Sequence, residues 1–318
     1  MSTYLKYKPV WYRIFVLISL IFGVVFVLWL LSYTLAAKFS GFSFQQLLAP
    51  DMDDPRMLEI QKWLMSFISS VATFLIPSLL YAYFADPRPM RFLRMDVKPA
   101  WWYWIIAVAL MVVVLPSAFW LGEWNKQLDL SNVLPGFDKW MKESEVTTNA
   151  FIEKMIGKQD IADLFTNLLL LALLPAVAEE LLFRGLIQKG LIRMTRNVWV
   201  SILLSAFIFS AIHFQFLTFL TRFELGIILG ALFWYSGSLW VPILAHFFFN
   251  GLQVFMSYRN PAMKDAPGEL LSAGMVGISF LLVIALIVLM KRTSTSTMAE
   301  VYDDEDDDFI LTGPDNRE

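Results

Sequence analysis

Residues 168–187 read LLLLALLPAVAEELLFRGLI, and the reading of this stretch decides the fold. It is apolar enough and long enough to cross a hydrocarbon core as a helix, which takes about 20 residues. Yet it carries two adjacent glutamates, Glu179 and Glu180, and an arginine, Arg184. An ionisable side chain at bilayer depth costs about 2.5–3.5 kcal/mol on insertion scales, so such groups face inward and mark function. Successive helical positions differ by about 100°, so the two glutamates point in different directions. Glu180 and Arg184 are i, i+4 neighbours that can pair on one face. That leaves Glu179 aimed elsewhere, one turn from Pro175, whose missing N–H loosens the helix. Glu180–Arg184 therefore reads as a structural pair and Glu179 as the group free for chemistry. A further ion pair to Arg184 is the plainer alternative for Glu179.

The rest of the chain shares this apolar character. Its 318 residues are 58% hydrophobic and 17% charged, against about 45–50% and 25% in soluble proteins. The expected class is all-α: a polytopic integral membrane protein with about eight transmembrane helices and an active site inside the bundle. The spans are read at 14–37, 63–84, 100–122, 161–192, 198–214, 223–235, 240–256 and 270–290. The first run is too long for a secretory h-region and lacks a cleavage site, so it is expected to stay. Lys6, Lys8 and Arg13, then Arg88, Arg91, Arg94 and Lys98, then Lys189, Arg193 and Arg196, then Lys291 and Arg292 fall on one side of an eight-span arrangement. By the positive-inside rule that side is the cytoplasm and holds both termini. Trp63, Trp101, Trp102, Trp104, Trp120, Trp124, Trp199 and Trp240 lie near span ends, where aromatic rings anchor at headgroup level.

Five regions follow: residues 1–99 with two spans, 100–160 with the third span and an extracytoplasmic loop, a catalytic core at 161–257, the last span at 258–292, and an acidic cytoplasmic tail at 293–318. Like charges at the density of 303–308 repel and bury nothing, so disorder is expected there. The net charge is −3 with no basic surface, which argues against a nucleic-acid partner. The absence of cysteine excludes disulfides and thiol chemistry.

The chain has two histidines, His213 and His246, and both fall in apolar stretches. Glu179 lies about 15 residues before the turn near 193–197 and His213 about 18 after it; at ~1.5 Å per residue the two reach similar depth. Asn250 follows His246 at i+4, so imidazole and carboxamide share a helix face and can both donate to one oxygen. A pair of ordinary interhelical hydrogen bonds is the plainer reading, worth about 0.6 kcal/mol each. The uncharged turn at 236–238 suggests a recessed hairpin that lifts His246 toward the other groups.

Glu179-Glu180-x-x-x-Arg184, Phe209-x-x-x-His213 and His246-x-x-x-Asn250, on three membrane helices in that order, resemble the CAAX-processing and bacteriocin-processing intramembrane proteases, also described as abortive-infection proteins or glutamic-type intramembrane endopeptidases. The Ras-converting prenyl endoprotease is their eukaryotic relative. The resemblance covers residues 160–256. It implies that Glu179 and His213 hold and deprotonate a water, that His246 and Asn250 stabilise the oxyanion, and that Glu180, Arg184 and Phe209 support them. It also implies a peptide or protein substrate at the lipid bilayer, with no cofactor and no metal. A bacterial inner membrane is the expected home.

Other chemistries fit less well. His-Glu-x-x-His is absent, Ser236 and Ser238 lie in a turn without a nucleophile context, and no aspartate lies deep in a span. Glu179, His213 and His246 form a conceivable zinc set. A proton-coupled carrier could use the same groups as a relay, and an immunity or binding protein could keep the fold without cleaving anything.

Overall fold

The computed structural model describes residues 4–156, 160–259 and 272–294. Their architecture is ten main helices, α1 (Val10–Ser40), α2 (Pro55–Ala85), α3 (Trp102–Val113), α4 (Leu115–Lys126), α5 (Pro135–Ile156), α6 (Ile161–Thr195), α7 (Val198–Ala211), α8 (Phe219–Ser236), α9 (Trp240–Arg259) and α10 (Ala273–Thr293). No strand occurs among the described residues. The acidic tail, from residue 295 on, lies outside them.

The described part of each of the eight expected stretches is mostly helical, with 212–214 lying past the end of α7, and fewer than eight helices have the length and apolarity of a span. Five helices are long and apolar enough to cross a membrane: α1, α2, α6, α8 with its leading turn, and α10; the bent pair α3–α4 makes six. α7 has 14 residues, about 21 Å at 1.5 Å per residue, short of a ~30 Å core. α9 carries His246, Asn250, Gln253 and Arg259 along its length. Both shortfalls belong to helices that line the site. A second difference is α5, 22 residues of helix within the stretch expected to be an extracytoplasmic loop.

The breaks have local causes. Pro116 follows the α3–α4 bend of 41°. There the Ser279 hydroxyl of α10 enters the helix ladder, accepting from Ser117 N (3.2 Å) and donating to Val113 O (2.6 Å), as insertions at kinks do. α6 starts under an Asp160 cap on Asp163 N, and α7 under an Asn197 cap on Val200 N, each satisfying an otherwise orphaned amide. The α8–α9 turn needs Gly237 at φ 66°, a conformation glycine adopts without a Cβ penalty. α7 and α8 cross so closely that a Cβ on Gly226 would lie 2.8 Å from that of Ala206.

Two apolar clusters fill the bundle. One joins α3, α4, α8, α9 and α10 through residues such as Leu110, Met111, Leu229, Leu232 and Phe249. The other packs α2, α6, α7 and the start of α9 around Phe74, Leu181, Phe183, Phe209 and Ile243. The α8–α9 turn is sealed by the segment before α3: Arg94 Nε donates to Gly237 O (2.9 Å), Leu239 N to Arg94 O (3.1 Å) and Ser238 Oγ to Val97 O (2.8 Å). Ser236 and Ser238 are buried there, so neither presents a nucleophile.

Candidate active site

α6 is not a uniform helix. Residues 168–173 and 183–188 are wound as π-helix on either side of Leu174–Leu182, with Pro175 at the start of that central segment. Single π turns rotate the following residues relative to a regular helix and recur at functional sites. Pro175 supplies no amide to the Leu171 carbonyl. Asn250 Nδ2 of α9 approaches that carbonyl at 3.5 Å.

Glu179 and Glu180 point to opposite tasks from adjacent positions. Glu180 is fully buried, and its Oε1 receives Arg184 Nη1 and His246 Nδ1, each at 2.9 Å. Arg184 Nη2 also donates to Gly226 O of α8 (3.0 Å), and the guanidinium lies 5.0 Å over the Phe209 ring. The Glu180–Arg184 pair thus ties α6 to α8 and, through His246, to α9. Its role is wider than the one read from the i, i+4 spacing: Glu180 also orients an imidazole. Arg184 pairs with Glu180 and makes no ion pair with Glu179 among the described residues.

Glu179 Oε2 lies 4.0 Å from His213 Nε2 and 3.8 Å from His246 Nε2. The two imidazoles flank one carboxylate oxygen, too far for direct hydrogen bonds and close enough for one shared molecule between each pair. Each ring's tautomer follows from its other nitrogen. His213 Nδ1 is 2.7 Å from Phe209 O; a carbonyl only accepts, so Nδ1 carries the proton and neutral His213 offers a lone pair at Nε2. That carbonyl is one of the open acceptors at the C-terminal end of α7. His246 Nδ1 faces the Glu180 carboxylate and is a donor for the same reason.

Phe209 forms the shared wall, with ring centroids 5.0 Å from His213 and 6.0 Å from His246 in edge-to-face geometry, and 5.0 Å from Phe183. His246 is nearly closed off, whereas His213 keeps 26% of its side chain exposed, so the cleft opens on the His213 side. Asn250 sits one turn past His246 on α9. Among the described residues, no group of three or more His, Asp or Glu side chains is arranged to hold a metal ion.

One charged neighbour has no place in the expected set. Arg222 of α8 is within electrostatic reach of Glu179, of His213 and of the buried Glu145 on α5. The expected sixth span begins at 223 and leaves Arg222 outside it. Its signal in the sequence is an arginine and a glutamate two residues apart, Arg222 and Glu224, at the edge of an apolar run.

Comparison with known proteins bears on this same region. The family model described as Rce1-like, type II CAAX prenyl endopeptidase Rce1-like, matches residues 161–252, a stretch that contains Glu179, Glu180, Arg184, His213, His246 and Asn250. The matched stretch is similar to the Rce1-like family, consistent with the resemblance carried by the motifs. A Bacillus subtilis (strain 168) protein described as uncharacterized protein YpbD is 30% identical over 118 residues, covering 36% of this chain and 56% of that protein. An Escherichia coli protein described as an uncharacterized 24.3 kDa protein is 32% identical over 100 residues, covering 30% of this chain and 46% of that protein. The chain thus spans about half the length of each of these curated relatives. No solved structure matches it significantly.

Proposed function

We propose that this integral membrane protein is a glutamic-type intramembrane endopeptidase that hydrolyses a peptide bond of a membrane-associated peptide or protein. The observation that carries the reading is the 4.0 Å gap between Glu179 Oε2 and the proton-free Nε2 of His213. A water about 2.8 Å from each would donate one hydrogen to the carboxylate and one to the imidazole. Its oxygen lone pair is then turned toward an incoming carbonyl carbon. On attack the proton passes to Glu179, and the tetrahedral oxyanion forms on the His246 side. When the C–N bond breaks, the leaving nitrogen takes that proton, so Glu179 acts first as base and then as acid.

His246 has one constraint in this scheme. With Nδ1–H committed to Glu180, Nε2 donates to an oxyanion only when the ring is doubly protonated. The Asn250 amide has two N–H donors, of which Leu171 O engages one. Donors of this kind are worth about 2.7–4 kcal/mol of transition-state stabilisation. A bacterial inner membrane with both termini in the cytoplasm is the setting that goes with this reading.

The test is reconstitution in liposomes with candidate membrane peptides, comparing the native protein with Glu179→Gln by mass spectrometry of the products. The variant should lose about 10²–10⁴-fold in cleavage rate with its melting temperature unchanged. Cleavage at the native rate in Glu179→Gln would sink the reading. Loss of activity on chelation, with recovery on adding zinc, would replace it by a zinc mechanism. Peptide uptake without any product would indicate a carrier, and binding with neither uptake nor product an immunity or binding protein.

A further inference from the structure

His213 stands on an awkward piece of backbone. α7 ends at Ala211, His213 lies in the turn that follows, and Phe214 takes φ 55°. A left-handed conformation is unfavourable for an aromatic residue unless the surroundings over-determine it. Within the turn itself the amide bonds are few: Phe214 N to Ala211 O (3.1 Å) and Thr218 N to Gln215 O (3.3 Å).

The surroundings that fix this turn come from three other helices; from α4, Asn125 Nδ2 donates to Phe216 O (2.8 Å). From α8, the Arg222 guanidinium reaches back over it: Nη1 donates to Gln215 O (3.1 Å) and Thr218 Oγ1 (2.6 Å), and Nη2 to Gln215 Oε1. From α5, Trp140 meets Phe214 edge-on at 6.3 Å and Phe137 meets Phe216 at 5.4 Å. Arg222 therefore grips Gln215 and Thr218 beyond Phe214, while aromatic rings of α5 pack against the turn's outer side. A planar fork of fixed donors can hold three acceptors of one turn at once, whereas a lysine ammonium is a point charge on a flexible stem.

We propose that Arg222 is a positioning residue of the site, whose guanidinium fork sets the turn carrying His213 and so the gap between His213 Nε2 and Glu179 Oε2. It acts through His213 and needs no contact with substrate. The inference deepens the hydrolytic reading, which gives the gap its meaning, and the brace itself can be measured without any cleavage.

Arg222→Gln, Arg222→Lys, and the double variant Gln215→Leu with Thr218→Val would be compared with the native protein and Glu179→Gln in the same liposomes. Hydrogen exchange of the amides at 214 and 218 reads the brace. It should accelerate in both Arg222 variants and in the double variant, and stay native in Glu179→Gln. On cleavage, Arg222→Gln should lower kcat by about 10²-fold, the cost of a misplacement near 1 Å, with KM unchanged. Arg222→Lys should be impaired nearly as much, because it keeps the charge and loses the fork. The double variant, which leaves Arg222 and its charge in place, should show a smaller kcat loss of the same sign.

Native exchange at 214 and 218 in all three brace variants overturns the proposal. So does full kcat in Arg222→Lys, which would make charge alone the contribution, or a rise in KM at constant kcat, which would make Arg222 a substrate contact. If no Glu179-dependent cleavage exists, the hydrolytic reading fails, while the exchange result still decides the brace.

Discussion

Lys62–Asp163 and Glu180–Arg184 are both ion pairs buried inside the bundle, at 2.6 Å and 2.9 Å. In the first, both carboxylate oxygens of Asp163 are engaged, Oδ1 by Lys62 and Oδ2 by Asn167 Nδ2 (2.9 Å), and no histidine bonds to the group. It joins α2 to the start of α6 and ends there. In the second, Oε1 of Glu180 is shared between Arg184 and His246, and Oε2 is buried without a hydrogen-bond partner. The closed pair can only assemble helices. The open one passes its charge on to an imidazole that faces Glu179. Pairing alone is thus no sign of function; an oxygen shared with a titratable ring beside a second carboxylate is.

Breaking the open pair should have the largest effect. Arg184→Met leaves the buried Glu180 carboxylate with His246 Nδ1 as its remaining hydrogen-bond partner, which costs about 3–5 kcal/mol, and removes the cation that fixes the carboxylate orienting His246. Denaturation in mixed micelles should show that loss, and the fraction that still folds should be inactive. Native activity in the folded fraction would mean that Glu180 does not act through His246.

The closed pair should separate stability from chemistry. Lys62→Met should also cost about 3–5 kcal/mol, while Lys62→Met with Asp163→Leu should recover most of it, since well-packed apolar residues often replace a buried pair at no cost. Both proteins should keep a native kcat when folded. A fall in kcat with native stability in the double variant would show that the closed pair also reaches the site.

The smallest effect should come from a third, exposed pair, Lys154–Asp53 at 2.6 Å, which links α5 to the loop before α2. The hydrogen bond and charge of Lys154 hold the Asp53 carboxyl below its ordinary range. A carboxylate whose pKa is lowered on folding stabilises the fold above its unfolded value and loses that contribution as the pH falls through its folded value. Asp53→Asn should therefore lower thermal stability slightly at neutral pH, and the difference should vanish in acid and shrink with salt. A large difference would make this exposed contact a true anchor of α5.

Much of this contrast was legible in the linear chain. Ionisable residues in apolar runs are costly at bilayer depth, so Glu179, Glu180, Arg184, His213 and His246 stood out, and the i, i+4 rule paired Glu180 with Arg184. The same rule put Asn250 on the His246 face but could not show the Leu171 carbonyl that Asn250 approaches, because that carbonyl is set by Pro175 on another helix. Of the eight expected spans, five or six have the length and apolarity of a span; α7 and α9 are apolar by composition and yet too short or too polar to match it. α5 was hidden because an amphipathic helix of mixed charge looks, by hydropathy alone, like a loop.

The amino-acid order by itself determined that this is a helical membrane protein and which few ionisable side chains its interior must accommodate, because desolvation acts on each residue wherever its neighbours lie. Only the tertiary structure decided that Glu180 serves His246 from 66 positions away, that both imidazoles flank one oxygen of Glu179, and that Arg222 grips the turn beneath His213. Those relations depend on how π turns rotate α6 and how closely α7 and α8 cross, which no local pattern of residues specifies.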